Sequence, residues 1–100
     1  MIDFAAVVGF QWDAGNARKS EERHGVSQAE AEQAFFNEPL LVAGDDRHSG
    51  SEARFHALGR TDDGRVLHFT FTLRDKGRLI RVISARDASR KERGRYGEAI

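Results

Sequence analysis

The clearest pattern in the chain is an alternation of apolar and polar residues from Val66 to Arg74. Leu67, Phe69, Phe71 and Leu73 fall on one side, and His68, Thr70, Thr72 and Arg74 fall on the other. Because successive side chains of a strand point to opposite faces, this pattern predicts a half-buried strand. Turn residues at 75–77 and a second β-branched run from Leu79 to Ser84 follow, so the two runs should form an antiparallel hairpin.

Two shorter strands are predicted before this hairpin. Leu40 to Ala43 is an apolar run, and Arg54 to Leu58 alternates again, followed by a turn rich in Asp and Gly. Together the four strands should form an antiparallel meander. In its last strand the alternation places Ile80, Val82, Ser84 and Arg86 on one face, opposite Leu79, Arg81, Ile83 and Ala85.

A pair of helices should precede the meander. The first is predicted over residues 14–24, with Asp13 at its start and Gly25 at its end. Ser27 and Glu30 have the spacing of a capping box, which starts a second helix that ends before the only proline of the chain. The short connection between them predicts a helical hairpin.

The complete order of predicted elements is β-α-α-β-β-β-β-α. The first strand lies within residues 1–12, and the last helix runs from Ala88 to about Gly97. We therefore expect a single α+β domain over residues 1–100, with an N-terminal strand, a helical hairpin, an antiparallel sheet and a C-terminal helix.

Composition narrows the class of protein. With 39% hydrophobic and 32% charged residues the chain should fold as a globular protein rather than remain disordered. The absence of cysteine excludes a disulfide framework and thiolate metal sites. The apolar run from Phe4 to Phe10 is too short for a signal peptide or a membrane span, so we expect a cytoplasmic protein that does not contact membranes.

The net charge of zero hides a strong asymmetry along the chain. Residues 1–53 contain four Lys/Arg and ten Asp/Glu, whereas residues 54–96 contain twelve Lys/Arg and five Asp/Glu. A basic half of this kind can attract an anionic polymer, although segregated charges also occur on ordinary solvated faces.

The sequence favours neither a metal ion nor a cofactor. The four histidines (His24, His48, His56 and His68) show no pair at helical ligand spacing, although Asp45, Asp46 and His48 lie close together. Gly59 and Gly64 have the separation of a phosphate-binding loop, but Arg65 follows where that motif needs lysine. We therefore predict no metal, no nucleotide and no other cofactor.

One set of polar residues should converge on or beside one sheet face: Glu52, Arg54, His56, His68, Arg74 and Arg86. Cleavage of RNA without a metal needs a base for the 2′-hydroxyl proton, cations for the phosphorane charge and a proton donor for the leaving oxygen. Arginine suits the second role because its planar fork matches phosphate oxygens. The alternative interpretation is an ordinary solvated face with local ion pairs.

Several segments together resemble the BrnT family of type II toxins. They are FQWD at 10–13, RHGVSQAEAEQAFFNEP at 23–39, EARFHALGR at 52–60, GRVLHFTFTLR at 64–74 and IRVISARDASRKERGRY at 80–96. The chain departs from the family pattern in having Ala14 and Asn16 where Pro and Lys are frequent, and Ser20 where Asn is common.

The resemblance implies a RelE-like fold and a metal-independent ribonuclease that arrests translation. It also implies a cognate BrnA-like ribbon-helix-helix antitoxin that neutralises the toxin and binds operator DNA. The catalytic residues it suggests are Glu52, Arg54, Arg74, Arg86 and His24. For RNA binding we consider Lys19, Arg23, Arg65, Arg81, Arg90 and Arg93. A catalytically inactive module of the same fold that binds RNA or protein is the alternative.

Overall fold

The computed structural model describes residues 2–47 and 50–100, except for the side chain of Asn16. His48, which belongs to the acidic and histidine-containing segment noted above, lies outside the described residues. The described strands are β1 (Gly9–Phe10), β2 (Leu41–Gly44), β3 (Arg54–Arg60), β4 (Val66–Arg74) and β5 (Leu79–Asp87). They form one sheet in the order β1-β5-β4-β3-β2.

Strands β2 to β5 form the predicted antiparallel meander. The N-terminal strand pairs with β5 in parallel, with Gly9 opposite Leu79 and Phe10 opposite Ile80. It is only two residues long and follows a 3-10 turn at Phe4–Ala6. The sheet is therefore mixed, and its parallel edge was not distinguishable from the alternation of residues 1–12.

Three helices complete the described part of the chain: α1 (Ala14–His24), α2 (Gln28–Phe36) and α3 (Arg90–Glu98). The predicted capping box of Ser27 and Glu30 begins α2, and a second capping box of Ser89 and Glu92 begins α3. In each box the serine hydroxyl accepts from the backbone N–H of the glutamate, and the glutamate carboxylate accepts from the backbone N–H of the serine. These two hydrogen bonds explain why the helices begin at these residues.

Helix α2 covers one face of the sheet and forms the main core with it. The Phe35 ring lies 4.6 Å from the Phe69 ring and 5.2 Å from the Phe71 ring, measured between centroids. Ala31 and Ala34, on the same helical stripe, are fully buried. The apolar side of β4 thus faces α2, as the alternation predicts, and its polar side faces away.

The predicted parity of β5 is wrong beyond Val82. Thr70 pairs with Ser84 but Phe71 pairs with Val82, so Ile83 is an extra residue at a bulge. A bulge of one residue exchanges the two faces of the strand from that point onward. Ile80, Val82 and Ala85 are consequently buried in the core, a combination that strict alternation forbids.

The second face of the sheet is partly covered by α3. Tyr96 and Ala88 are buried there against Leu58 of β3, and the Tyr96 hydroxyl donates a 2.6 Å hydrogen bond to the carbonyl of Pro39. Because α3 covers only one end, polar residues of β3, β4 and β5 remain accessible on the rest of this face.

Candidate active site

Two clefts open side by side on the face of the sheet that α3 only partly covers. We call them the arginine cleft and the histidine cleft. The arginine cleft, of about 370 Å³, is lined by Gly50, Ser51, Glu52, Arg54, Thr72, Arg74, Arg81 and Ile83. The histidine cleft, of about 420 Å³, is lined by Leu41, Val42, Ala43, His56, Leu58, His68, Glu92 and Arg95.

The arginine cleft is built by the strand ends opposite α3. Arg54 of β3 is directly opposite Thr72 of β4, and Thr72 is directly opposite Arg81 of β5. Arg74 lies two residues beyond Thr72 and therefore on the same face. Three guanidinium groups from three neighbouring strands thus surround one cavity.

Carboxylates accompany these arginines. Oε2 of Glu52 lies 2.6 Å from Nε of Arg74, although the Nε–H group has no hydrogen-bond partner among the described residues. The contact is therefore mainly a charge contact, in which the N–H does not point at the oxygen. Arg81 donates to Oδ2 of Asp13 and, at 3.4 Å, to the side-chain oxygen of Gln11.

The histidine cleft contains two neighbouring imidazoles, with the ring centroids of His56 and His68 5.0 Å apart. Nε2 of His56 lies 2.8 Å from the carboxylate of Asp45, which is buried. Its Nδ1 lies 3.3 Å from the hydroxyl of Thr70. Both ring nitrogens of His56 are therefore held by neighbours, and the ring orientation is defined.

His68 is more buried than His56. Burial lowers the pKa of His68, and the nearby Arg86 guanidinium lowers it further. Its Nε2 lies 3.9 Å from Oε2 of Glu92, and its buried Nδ1 has no hydrogen-bond partner in the described ranges 2–47 and 50–100. His68 is thus favoured in its neutral form.

Arg86, predicted as catalytic, lies at the end of β5 under α3 and not in the arginine cleft. It donates two hydrogen bonds to Glu92, at 2.8 and 3.1 Å. These hydrogen bonds lower the pKa of Glu92 to about 2. The structure thus separates Arg86 from Arg54 and Arg74, which the sequence had grouped with it.

His24 lies at the C-terminal end of α1 and lines neither cleft. Its carbonyl accepts a 3.1 Å hydrogen bond from Nη2 of Arg65. Arg65 also donates to Gly25, to Glu30 and, with two nitrogens, to Asp87. Arg65 therefore joins the α1–α2 connection to the end of β5, and its guanidinium is committed to these internal contacts.

The other predicted RNA-binding cations lie on two helices. Lys19 and Arg23 are exposed on α1, which packs along β5, and Arg90 and Arg93 are exposed on α3. Arg93 also donates a 2.7 Å hydrogen bond to the carbonyl of Ala88. Of the six residues predicted to bind RNA, Arg81 is the one that lines the arginine cleft.

Four site residues were missed by the sequence analysis: Asp13, Thr72, Glu92 and Arg95. Asp13 contacts Arg81 across 68 positions of sequence, so no local pattern could have paired them. Glu92 has a local signal, the capping box with Ser89, but that signal indicates only a helix start.

No helix in the described part is long and apolar enough to cross a membrane. Within residues 2–47 and 50–100, no three His, Cys, Asp or Glu side chains are grouped so that they could hold a metal ion.

The fold is similar to that in the 1.1 Å crystal structure of the Brucella abortus ribonuclease toxin BrnT. The TM-score is 0.63 and the sequence identity is 20%, over 84% of this chain and 100% of the Brucella chain. At this identity the likeness concerns the fold. It confirms the α+β architecture that the resemblance implies.

Comparison by sequence gives the family. No curated protein matches the chain. The family model for BrnT, described as the ribonuclease toxin of type II toxin-antitoxin systems, matches residues 12–92. This match includes every strand of the meander, both clefts' strand residues and the start of α3. The chain belongs to the BrnT family of ribonuclease toxins.

Proposed function

We propose that this protein is an endoribonuclease toxin that cleaves RNA in the arginine cleft and thereby inhibits translation. The observation that carries the proposal is the grouping of Arg54, Arg74 and Arg81 around one cavity with the carboxylate of Glu52 at its edge. Family membership supplies the class of substrate, RNA. The acidic and basic groups of the cleft supply the chemistry.

The arginines bind the scissile phosphate and stabilise the extra charge of the phosphorane transition state. Guanidinium forks are suited to this because they donate paired hydrogen bonds to phosphate oxygens. A phosphate that enters the cleft displaces Glu52 from Arg74 and leaves the carboxylate beside the ribose. Because three guanidinium groups supply the positive charge, this mechanism does not need a metal ion.

In the reaction, Glu52 accepts the proton of the 2′-hydroxyl, and the 2′-oxygen attacks phosphorus. The bond from phosphorus to the 5′-oxygen breaks, and that oxygen receives a proton from Nδ1 of His56, which exchanges its 3.3 Å contact with the Thr70 hydroxyl for the leaving oxygen. His56 lines the histidine cleft and lies two positions from Arg54 on the same face of β3. The products are a 2′,3′-cyclic phosphate and a 5′-hydroxyl. Asp45 orients the His56 ring through its 2.8 Å contact with Nε2.

Lys19, Arg23, Arg90 and Arg93 would contact the RNA backbone outside the cleft. Such contacts strengthen binding without selecting a sequence. His24 and Arg86 have no direct role in this mechanism. Arg86 acts through Glu92 by holding α3 on the sheet.

The partner in the cell is a cognate antitoxin of the BrnA type, a dimeric ribbon-helix-helix protein that binds operator DNA and neutralises the toxin. The membership of the chain in a toxin-antitoxin family supports this partner. We place the toxin in the cytoplasm, where its RNA substrate is translated. A neighbouring reading frame for a ribbon-helix-helix protein would support the assignment.

The test is cleavage of an end-labelled RNA by the purified protein in EDTA. We expect the protein to cleave the RNA in EDTA and to leave products with a 2′,3′-cyclic phosphate. Arg74→Ala should lower the cleavage rate about 100-fold, because it removes one donor that stabilises the charge of the transition state. The matched control is Arg78→Ala, since Arg78 is an exposed arginine at the hairpin turn, 3.7 Å from Asp75.

Three results would contradict the proposal. Loss of cleavage on chelation would overturn the metal-independent mechanism, and full activity of Arg74→Ala would overturn the site. RNA binding without cleavage by the wild-type protein would instead support the alternative of an inactive binding module.

A further inference from the structure

We propose that the histidine cleft is a nucleobase-binding subsite and that it prefers bases with an exocyclic amino group. The inference rests on the proposed function, because it extends the RNA site from the phosphate to the base beside it. It assigns to the histidine cleft the role of selecting where the RNA is cut.

The first argument is the position of the histidine cleft. His56 lines it and Arg54 lines the arginine cleft, and these residues are two positions apart on the same face of β3. Two positions along a strand correspond to about 7 Å. A phosphate bound by Arg54 therefore has an attached nucleoside within reach of the histidine cleft.

The second argument is the chemistry of the walls. Leu41, Ala43 and Leu58 form an apolar side, and the rings of His56 and His68 form an aromatic side. Single-stranded RNA is read by stacking of bases on aromatic rings, histidine included, and on arginine planes such as that of Arg95. A site that bound only phosphate would be lined by cationic and polar groups, so the apolar wall indicates that a base is bound there.

The third argument is hydrogen bonding. The cleft contains the carboxylate of Glu92, which only accepts hydrogen bonds and can therefore bind amino groups but not phosphate oxygens. A carboxylate offers about four acceptor positions. Oε1 of Glu92 accepts from Arg86 and from the backbone N–H of Ser89, whereas Oε2 accepts from Arg86 alone among the described residues. Oε2 therefore has room for an amino group of adenine, cytosine or guanine, which uracil lacks.

The test compares the binding of the four 5′-mononucleotides with that of ribose 5-phosphate at one ionic strength. We expect AMP, CMP and GMP to bind about ten-fold more tightly than ribose 5-phosphate, as one stacked and hydrogen-bonded base should give. UMP should bind more weakly than the other three. The variant Ala43→Phe, which places a ring in the cleft, should abolish the differences.

Ala29→Phe is the matched control, because Ala29 is exposed on α2 and lines neither cleft. It should retain the base preference. Equal affinities of the wild-type protein for all five ligands, or a base preference that survives Ala43→Phe, would overturn the subsite.

A cleavage profile separates this inference from the proposed function. If the protein cleaves RNA, Ala43→Phe should change the preferred cut sites, and an unchanged profile would overturn the inference while the ribonuclease proposal stands. If the wild-type protein binds nucleotides with the expected preference but does not cleave RNA, the subsite is supported and the ribonuclease proposal fails.

Discussion

Arg86 of β5 and Glu92 of α3 are joined by two parallel hydrogen bonds, from Nη1 to Oε1 at 2.8 Å and from Nη2 to Oε2 at 3.1 Å. Arg86 also donates a 3.0 Å hydrogen bond to the carbonyl of Asp87. The pair fixes the first turn of α3 over the end of the sheet, where Glu92 also completes the capping box. It thereby defines one side of the histidine cleft.

We predict that Arg86 and Glu92 are energetically coupled. Arg86→Ala and Glu92→Gln should each lower the free energy of unfolding by about 1–2 kcal/mol, a value reduced by the partial exposure of the pair. The double variant should lose clearly less than the sum, because either change already breaks the same contact. Urea unfolding of the wild-type protein, the two single variants and the double variant measures this coupling free energy. Additive losses would show that the pair does not stabilise α3.

The pKa of Glu92 predicts a loss of stability in acid. It is lowered from an ordinary 4.5 to about 2, first by the Arg86 hydrogen bonds. Between about pH 4.5 and pH 2 the folded protein keeps this carboxylate ionised, whereas the unfolded chain protonates it. The contribution of Glu92 to the free energy of unfolding is therefore complete above pH 4.5 and is lost as the pH falls toward 2. Glu30 and Asp87 have lowered pKa values too and act in the same direction.

The measurement is the free energy of unfolding of the wild-type protein and Glu92→Gln from pH 6 to pH 2. The two curves should converge as the pH falls. Glu98→Gln, at the exposed end of α3, should run parallel to the wild-type curve. A constant difference between wild type and Glu92→Gln would contradict the assignment.

Arg65→Ala should destabilise the protein by about 1–3 kcal/mol, because it removes hydrogen bonds to Glu30, Asp87 and two backbone carbonyls. Arg65→Lys should recover only part of this loss, since lysine cannot form the paired contact with Asp87. RNA affinity of the folded protein should stay the same. A variant that keeps its stability but loses affinity would instead support the RNA-binding role considered from the sequence.

Gly59→Ala should be destabilising by about 1–3 kcal/mol through overpacking. A Cβ at this position would lie 2.6 Å from the carbonyl oxygen of Ala34, a backbone atom of α2 that cannot move without the helix. Gly94→Ala is the control, because Gly94 lies inside α3 with open space around it. That change should stabilise by about 0.5–1 kcal/mol. Equal thermal shifts for the two variants would refute the close packing of β3 on α2.

Much of the secondary structure followed from short-range patterns. The alternation from Val66 to Arg74, the capping box of Ser27 and Glu30, and the stripe of Ala31, Ala34 and Phe35 all report local geometry, so they predicted a strand, a helix start and a buried helix face. Periods of two and of about 3.6 residues are properties of the backbone itself, independent of what packs against it.

The partners of the charged residues depended on the three-dimensional arrangement of the chain. A one-residue bulge at Ile83 exchanged the faces of β5 beyond it, so that Ala85 is buried in the core and Arg86 lies on the opposite face. Helix α3 turns back over that face and brings Glu92 to Arg86. Contacts such as Asp13 with Arg81 join residues far apart in sequence. Strand register and the path of the helices decide which carboxylate lies next to which arginine. The attraction between opposite charges depends on distance and not on direction, so it cannot select a partner by itself.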